Sequence, residues 1–95
     1  MEYEWDDVKA ARNLAQHRVG FSAAARALDD PQRLDRLDHR FAYDEERWQT
    51  LCMLRGVVFL IVTTMRGDDV CRIISARKAT RHEQRRYLEA NAPHT

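Results

Sequence analysis

The first third of the chain alternates polar and apolar positions in a way that predicts one strand and two helices. Residues 3–5 alternate with acidic neighbours, which is typical of a short strand. Apolar positions then recur at helical spacing up to about His17, and Asp6 stands where an N-cap residue accepts hydrogen bonds from the first turn. A second helix is predicted over residues 23–28, with Ser22 as its cap.

The middle of the chain predicts four consecutive strands. Two short turn sequences, Arg55-Gly56 and residues 66–69, separate the last three of them. In the last strand, simple alternation predicts Arg72 on one face of the sheet and Cys71 and Ser75 on the other. The predicted strands are residues 33–39, 45–54, 57–65 and 70–76.

The last element is a helix with a clear start signal. Thr80 and Glu83 have the spacing of a capping box, and the helix is predicted to run to about Ala90. The predicted order is therefore β-α-α-β-β-β-β-α, an α+β fold with a small antiparallel sheet, two N-terminal helices and one C-terminal helix. We expect one domain over residues 1–90 and a frayed tail over residues 91–95.

Length and composition exclude several classes of protein. The 95 residues suit one domain, and the longest apolar run, residues 57–62, is far shorter than the ~20 residues that span a bilayer. The acidic N-terminus has no apolar signal region, so a cytoplasmic protein without membrane contact is expected. Cys52 and Cys71 lie in apolar stretches and are predicted to be reduced core thiols, and no metal or cofactor is expected.

Charge is distributed unevenly along the chain. The totals of 16 Lys+Arg and 15 Asp+Glu leave a net charge of +1. Residues 1–65 hold 9 basic and 11 acidic side chains, net −2, whereas residues 66–95 hold 7 basic and 4 acidic, net +3. An anionic partner is therefore expected at the last third of the chain.

Arginines cluster where the last strand leads into the last helix. Arg72, Arg77 and Arg81 are the candidate catalytic residues, because a planar guanidinium stabilises charge on a phosphoryl group with two hydrogen bonds. The alternative is that these arginines are solvated surface charges or ion-pair partners of nearby glutamates. Two further basic residues of this region, Lys78 and Arg85, are candidates for RNA binding.

Other candidates each have a second interpretation. Glu46 is either a general base beside the arginines or an edge-strand charge. Lys9 is a candidate for contact with backbone phosphates. His17 is either a helix-ending cation or an acid–base group that contacts RNA. Tyr87 either stacks on a base or packs on the sheet.

A series of short motifs along nearly the whole chain resembles the BrnT toxins, the toxin half of a bacterial type II toxin–antitoxin pair. One departure from the family is clear, because the usual Lys-His-Gly-Val-Ser-Phe reads Gln-His-Arg-Val-Gly-Phe at residues 16–21. The motifs are Trp5-Asp6-x-x-Lys9-x-x-x-Asn13-x-x-x-His17, Phe21-x-x-Ala24, Asp29-Asp30-Pro31, Glu45-Glu46-Arg47, Arg66-Gly67-Asp68, residues 72–80, Glu83 and Arg86-Tyr87.

The resemblance implies a RelE-like fold and a ribonuclease that blocks translation. It also implies a BrnA antitoxin with a ribbon-helix-helix part, a heterotetramer of the two proteins, and contact with operator DNA only through the antitoxin. Two other functions stay open on the residues alone. One is a non-catalytic module that binds RNA or a partner, and the other is a structural heterodimer partner with an exposed apolar face at Leu51 and Met53.

Overall fold

A computed structural model of the chain describes residues 1–39 and 46–93. The element order agrees with the predicted one, while Glu45 and His94 lie outside the described residues. The elements are β1 (Glu2–Glu4), α1 (Asp7–His17), α2 (Phe21–Ala27), β2 (Leu34–Leu37), β3 (Trp48–Leu54), β4 (Val57–Arg66), β5 (Val70–Lys78) and α3 (Arg81–Ala90). In the described part of the chain, no helix is both long and apolar enough to cross a bilayer.

The five strands form one sheet in the order β1-β5-β4-β3-β2. Strands β2 to β5 are antiparallel neighbours, as predicted. Strand β1 pairs with β5 in parallel, with Tyr3 opposite Cys71, so the complete sheet is mixed. Parallel neighbours need a long connection, and here the chain between them includes two helices and three strands.

Both predicted turns are present. Arg55 and Gly56 have φ angles of 51° and 80°, the two consecutive positive values that a tight two-residue hairpin turn requires. Gly67, with φ of 75°, begins the second turn between β4 and β5. Glycine is favoured at such positions because it has no Cβ to clash with the carbonyl oxygen.

The helix starts agree with the prediction in two cases of three. The Asp6 carboxylate accepts hydrogen bonds from the backbone N–H groups of the first turn of α1, and the capping box of α3 is complete. The prediction that Ser22 caps α2 is wrong, since α2 begins at Phe21 and Gly20 is its N-cap residue. Phe21 is only 3% exposed, and its burial places Ser22 inside the first turn.

Two apolar clusters fill the two faces of the sheet. Helices α1 and α2 cover one face, where both cysteines are buried as free thiols, as predicted. Helix α3 covers part of the other face, called the α3 face below. There Leu51 is 3% exposed beneath Tyr87, so the exposed apolar face considered above is largely covered.

A β-bulge in β5 changes the side-chain directions of that strand. Thr63 pairs with Ile73 but Val62 pairs with Ser75, which leaves Ile74 as an extra residue. The alternation therefore shifts by one, and Ser75 lies on the same face as Arg72. The prediction that Ser75 shares a face with Cys71 is wrong for this reason.

A buried asparagine takes the place of a neighbouring strand beyond the end of β1. Asn13 is 7% exposed, its Nδ2 donates to the carbonyl oxygens of Val19 (3.0 Å) and Ala76 (2.9 Å), and its Oδ1 accepts from the Ala76 N–H (3.1 Å). Strand β1 pairs with β5 only up to Arg72, so Ala76 has no strand partner on that side. The Asn13 amide satisfies both of its backbone groups and fixes α1 against β5.

Candidate functional site

Four strands contribute one residue each to a row across the α3 face. Pairing places Arg36 of β2, Gln49 of β3, Val62 of β4 and Ser75 of β5 side by side. This row lies beside α3 and forms the floor of a groove of about 380 Å³. The groove, called the α3 groove below, is lined by Arg36, Gln49, Val62, Ser75, Arg77 and Glu83.

Arg77 and Glu83 form a two-bond ion pair along one side of the α3 groove. Nη1 of Arg77 donates to Oε1 of Glu83 at 2.8 Å, and Nη2 donates to Oε2 at 3.0 Å. The same Oε1 accepts a hydrogen bond from the Thr80 N–H at 2.8 Å, as part of the capping box. One carboxylate therefore holds the end of β5 and the start of α3 together.

The ion pair controls the protonation of both groups. The hydrogen bonds from Arg77, with the Thr80 backbone bond, outweigh burial and lower the pKa of Glu83 to about 2. The hydrogen bond to Glu83 raises the pKa of Arg77. Both side chains are charged at neutral pH, and the Arg77 guanidinium has a defined orientation at the groove.

Two arginines that the sequence analysis did not select border the same groove. Arg36 Nη2 donates to Gln49 Oε1 at 3.1 Å, and Gln49 Nε2 donates to Asp38 Oδ2 at 3.1 Å. Arg86 lies three residues after Glu83, on the same side of α3, and lines the end of the groove with Arg36. These arginines were missed because the sheet register and the helix phase bring them together from distant parts of the sequence.

Arg72 lies on the α3 face at the opposite end of β5 from Arg77. The two residues are five positions apart along the strand, roughly 15 Å at the usual rise. Arg72 pairs with Glu4 at 3.5 Å and is 26% exposed. Across β4, the Thr64 hydroxyl, in register with Arg72, donates to the Glu46 carbonyl oxygen at 2.7 Å. The backbone of Glu46 is therefore held near the Arg72 end of this face.

The other basic residues near α3 do not line the groove. Arg81 and Arg85 are exposed, and helix geometry places them about 160–200° around the axis from Glu83. Lys78 is exposed at the end of β5. The predicted cluster is therefore divided between the groove and the outer surface of α3.

The remaining predicted residues lie elsewhere. Lys9 and His17 are on α1, which packs on the face opposite α3. Tyr87 is 3% exposed in the apolar cluster under α3, and its hydroxyl donates to Asp30. Burial and this hydrogen bond raise the pKa of Tyr87 to about 12. Packing on the sheet is thus the interpretation of Tyr87 that the structure shows, and its ring face is not available to a base.

Two further searches bear on the choice of site. A second cavity, of about 370 Å³ on the opposite face, is lined by Tyr3, Trp48 and Met65 among others, but by none of the predicted site residues. Among residues 1–39 and 46–93, no three His, Cys, Asp or Glu side chains are grouped to hold a metal ion. The α3 groove is therefore the candidate site.

Comparison with known proteins defines the class to which this fold belongs. The crystal structure of the Brucella abortus ribonuclease toxin BrnT superposes with a TM-score of 0.62 at 20% sequence identity. The match covers 85% of this chain and 99% of the Brucella chain. The chain thus has the fold of a small bacterial ribonuclease toxin.

The sequence assigns the family within that class. Residues 5–83 match the profile of the family described as BrnT, the ribonuclease toxin of type II toxin–antitoxin systems. The chain belongs to the BrnT family. No curated protein sequence matches it.

Proposed function

We propose that the protein is an endoribonuclease that cuts RNA in the α3 groove without a metal ion and thereby inhibits translation. The observation that carries this proposal is the oriented Arg77 guanidinium, held by two hydrogen bonds to Glu83 at the edge of an open polar groove. Such a fixed cation stabilises the charge that develops on a phosphodiester during cleavage, at no cost in reorganisation.

The chemistry needs three groups, and the proposal assigns them to the α3 face. Arg77 and Arg72 stabilise the charged phosphorane. Glu46 takes the proton from the attacking 2′-hydroxyl, because its backbone is held at the Arg72 end of the same face. Arg81 was predicted to be catalytic, but its place on the outer side of α3 favours a contact with RNA outside the groove.

RNA contacts beyond the groove follow the exposed basic residues. Lys78 and Arg85 lie beside Arg81 on the outer surface and bind backbone phosphates in this proposal. Lys9 and His17 are on the opposite face and reach only a strand that wraps around the edge of the molecule. Tyr87 has no part in RNA binding because it is buried.

The antitoxin is the second part of the proposal. A type II toxin acts beside an antitoxin, and we propose a BrnA protein with a ribbon-helix-helix DNA-binding part. The two proteins form a heterotetramer in the cytoplasm that reaches operator DNA only through the antitoxin. This proposal rests on family membership and not on a surface of the chain.

A cleavage assay in EDTA tests the enzymatic proposal. Purified chain is incubated with a defined RNA beside Arg72→Gln and Arg77→Gln, and Arg26→Gln on α2 serves as a control on the opposite face. We expect fragments from the wild type and the control, and rates about 10²–10³ lower from the groove variants. Circular dichroism of each variant separates a lost fold from a lost active site.

The outcome also decides the alternative of a binding module. If folded wild-type protein binds RNA but leaves free and ribosome-bound RNA intact, the enzymatic proposal is wrong and a non-catalytic role replaces it. Cleavage that stops in EDTA and returns with added magnesium contradicts the metal-independent mechanism alone.

A further inference from the structure

We propose that Arg36 and Arg86 form a phosphodiester-binding subsite at the end of the α3 groove, next to the Arg77–Glu83 pair. The two arginines come from β2 and α3, about fifty positions apart in the sequence, and line the same pocket with Glu83. The inference deepens the proposed function, on which it rests, by naming residues that hold the RNA backbone.

Arg36 is held in position by a chain of hydrogen bonds. Its guanidinium donates to Gln49, and Gln49 donates to Asp38, which is only 5% exposed. An amide fixed in this way holds the arginine over the sheet and leaves the other N–H groups of the guanidinium for a ligand. The side chain is therefore partly ordered before any ligand binds.

The charge at this end of the groove is not balanced. Arg77 is neutralised by Glu83, and the neighbouring Asp35 is paired with Arg33 at 3.2 Å. Within the described residues, neither Arg36 nor Arg86 forms an ion pair with a carboxylate. The two guanidiniums thus leave positive charge that an anion can neutralise.

The chemistry of the lining indicates which anion. A guanidinium matches the two free oxygens of a phosphodiester with parallel hydrogen bonds, and two such groups hold one phosphate from two sides. The Ser75 hydroxyl is a further donor, and Val62 offers a small apolar surface for a ribose. None of the large exposed apolar side chains lies in this groove, which argues against a peptide anchored by aromatic or aliphatic residues.

The test measures binding to an oligonucleotide that the protein does not cut. A fluorescent single-stranded oligomer with 2′-deoxy sugars is titrated with wild type, Arg36→Gln, Arg86→Gln and the double variant, with Arg26→Gln as control. We expect each single change to weaken binding about tenfold, as loss of a charge-assisted hydrogen bond does. The double variant is expected to lose roughly 0.7 per lost phosphate contact from the salt slope. Arg36→Lys is expected to restore part of the affinity.

The possible results separate this inference from the enzymatic proposal. Weaker oligomer binding in the groove variants supports the subsite, even where the wild type cuts no RNA and the enzymatic proposal fails. Wild-type affinity in the folded double variant overturns the subsite, even where cleavage is seen. Binding of a short poly-glutamate peptide that depends on Arg36 and Arg86, with no oligomer binding, also overturns it and assigns the groove to an acidic protein segment.

Discussion

Replacing Glu83 by Gln is expected to destabilise the fold through Arg77 while keeping the start of α3 intact. Glutamine still accepts a hydrogen bond from the Thr80 N–H, so the capping box remains. What is lost is the charge that accepts both Arg77 bonds, at 2.8 and 3.0 Å. A cycle of four proteins, wild type, Glu83→Gln, Arg77→Met and the double variant, isolates the interaction of the pair.

The magnitude follows from the pKa of Glu83. A fall from 4.5 to about 2 corresponds to about 3 kcal/mol at 1.36 kcal/mol per pKa unit. The Thr80 hydrogen bond supplies part of this, and the Arg77 side chain is 37% exposed, so solvent screens the pair. We therefore expect a coupling free energy of about 2 kcal/mol at pH 7.

The pH dependence has a definite sign. Because the pKa of Glu83 is lower in the folded state, its contribution is complete above the unfolded value of 4.5 and is lost as the pH falls toward about 2. More than half of it is expected to be gone at pH 3. Glu83→Gln removes this component of the pH dependence.

Urea unfolding followed by the fluorescence of Trp5 and Trp48 measures all four proteins at pH 7 and pH 3. A coupling below about 0.3 kcal/mol at pH 7 would refute the assignment of this pair as a structural tie. A coupling that is unchanged at pH 3 would show that the lowered pKa of Glu83 has another cause than Arg77.

Three further predictions concern single residues, each measured as the free energy of unfolding in urea. Asn13→Ala is expected to cost about 3 kcal/mol by leaving the Ala76 N–H and C=O unpaired in the interior, and a loss under 1 kcal/mol would contradict that role. Arg18→Gly is expected to add about 0.5–1 kcal/mol, because Arg18 ends α1 with φ of 61°; a destabilised variant would show that its side chain matters more than its backbone. Tyr87→Phe is expected to cost about 1 kcal/mol through the lost bond to Asp30, and an unchanged stability would mean that water replaces the hydroxyl.

The Arg18 prediction also accounts for the departure of this chain from the family pattern. The usual family glycine falls at residue 18, where the structure needs a left-handed residue to end α1. This chain has its glycine at residue 20 instead, where φ is −83° and no glycine is required. The turn geometry is therefore kept with a less suitable residue.

Features that depend on neighbouring residues were predicted well from the sequence. The Asp6 cap, the capping box from Thr80 to Glu83 and the Arg55-Gly56 turn each involve side chains and backbone groups within four positions. The element order followed because hydrophobic period and turn residues are local signals. The family followed from motifs along most of the chain, which a sequence profile matches over residues 5–83.

The bulge and the composition of the groove were decided by tertiary structure. The extra residue Ile74 reverses the direction of Ser75, and nothing in the alternation of β5 announces it. Arg36 meets Arg86 only because register aligns β2 with β3 and α3 packs on that face. Such contacts join residues far apart in the chain.

By itself, the sequence determined the elements, their order and the family, because these are set by local pattern and by residue identity along the chain. The tertiary structure alone decided that β1 pairs in parallel with β5, that Tyr87 is buried, and that Arg77 is bound to Glu83 beside the α3 groove. The physical reason is that burial and ion pairing depend on which surfaces meet in space, which the pattern of any one segment does not contain.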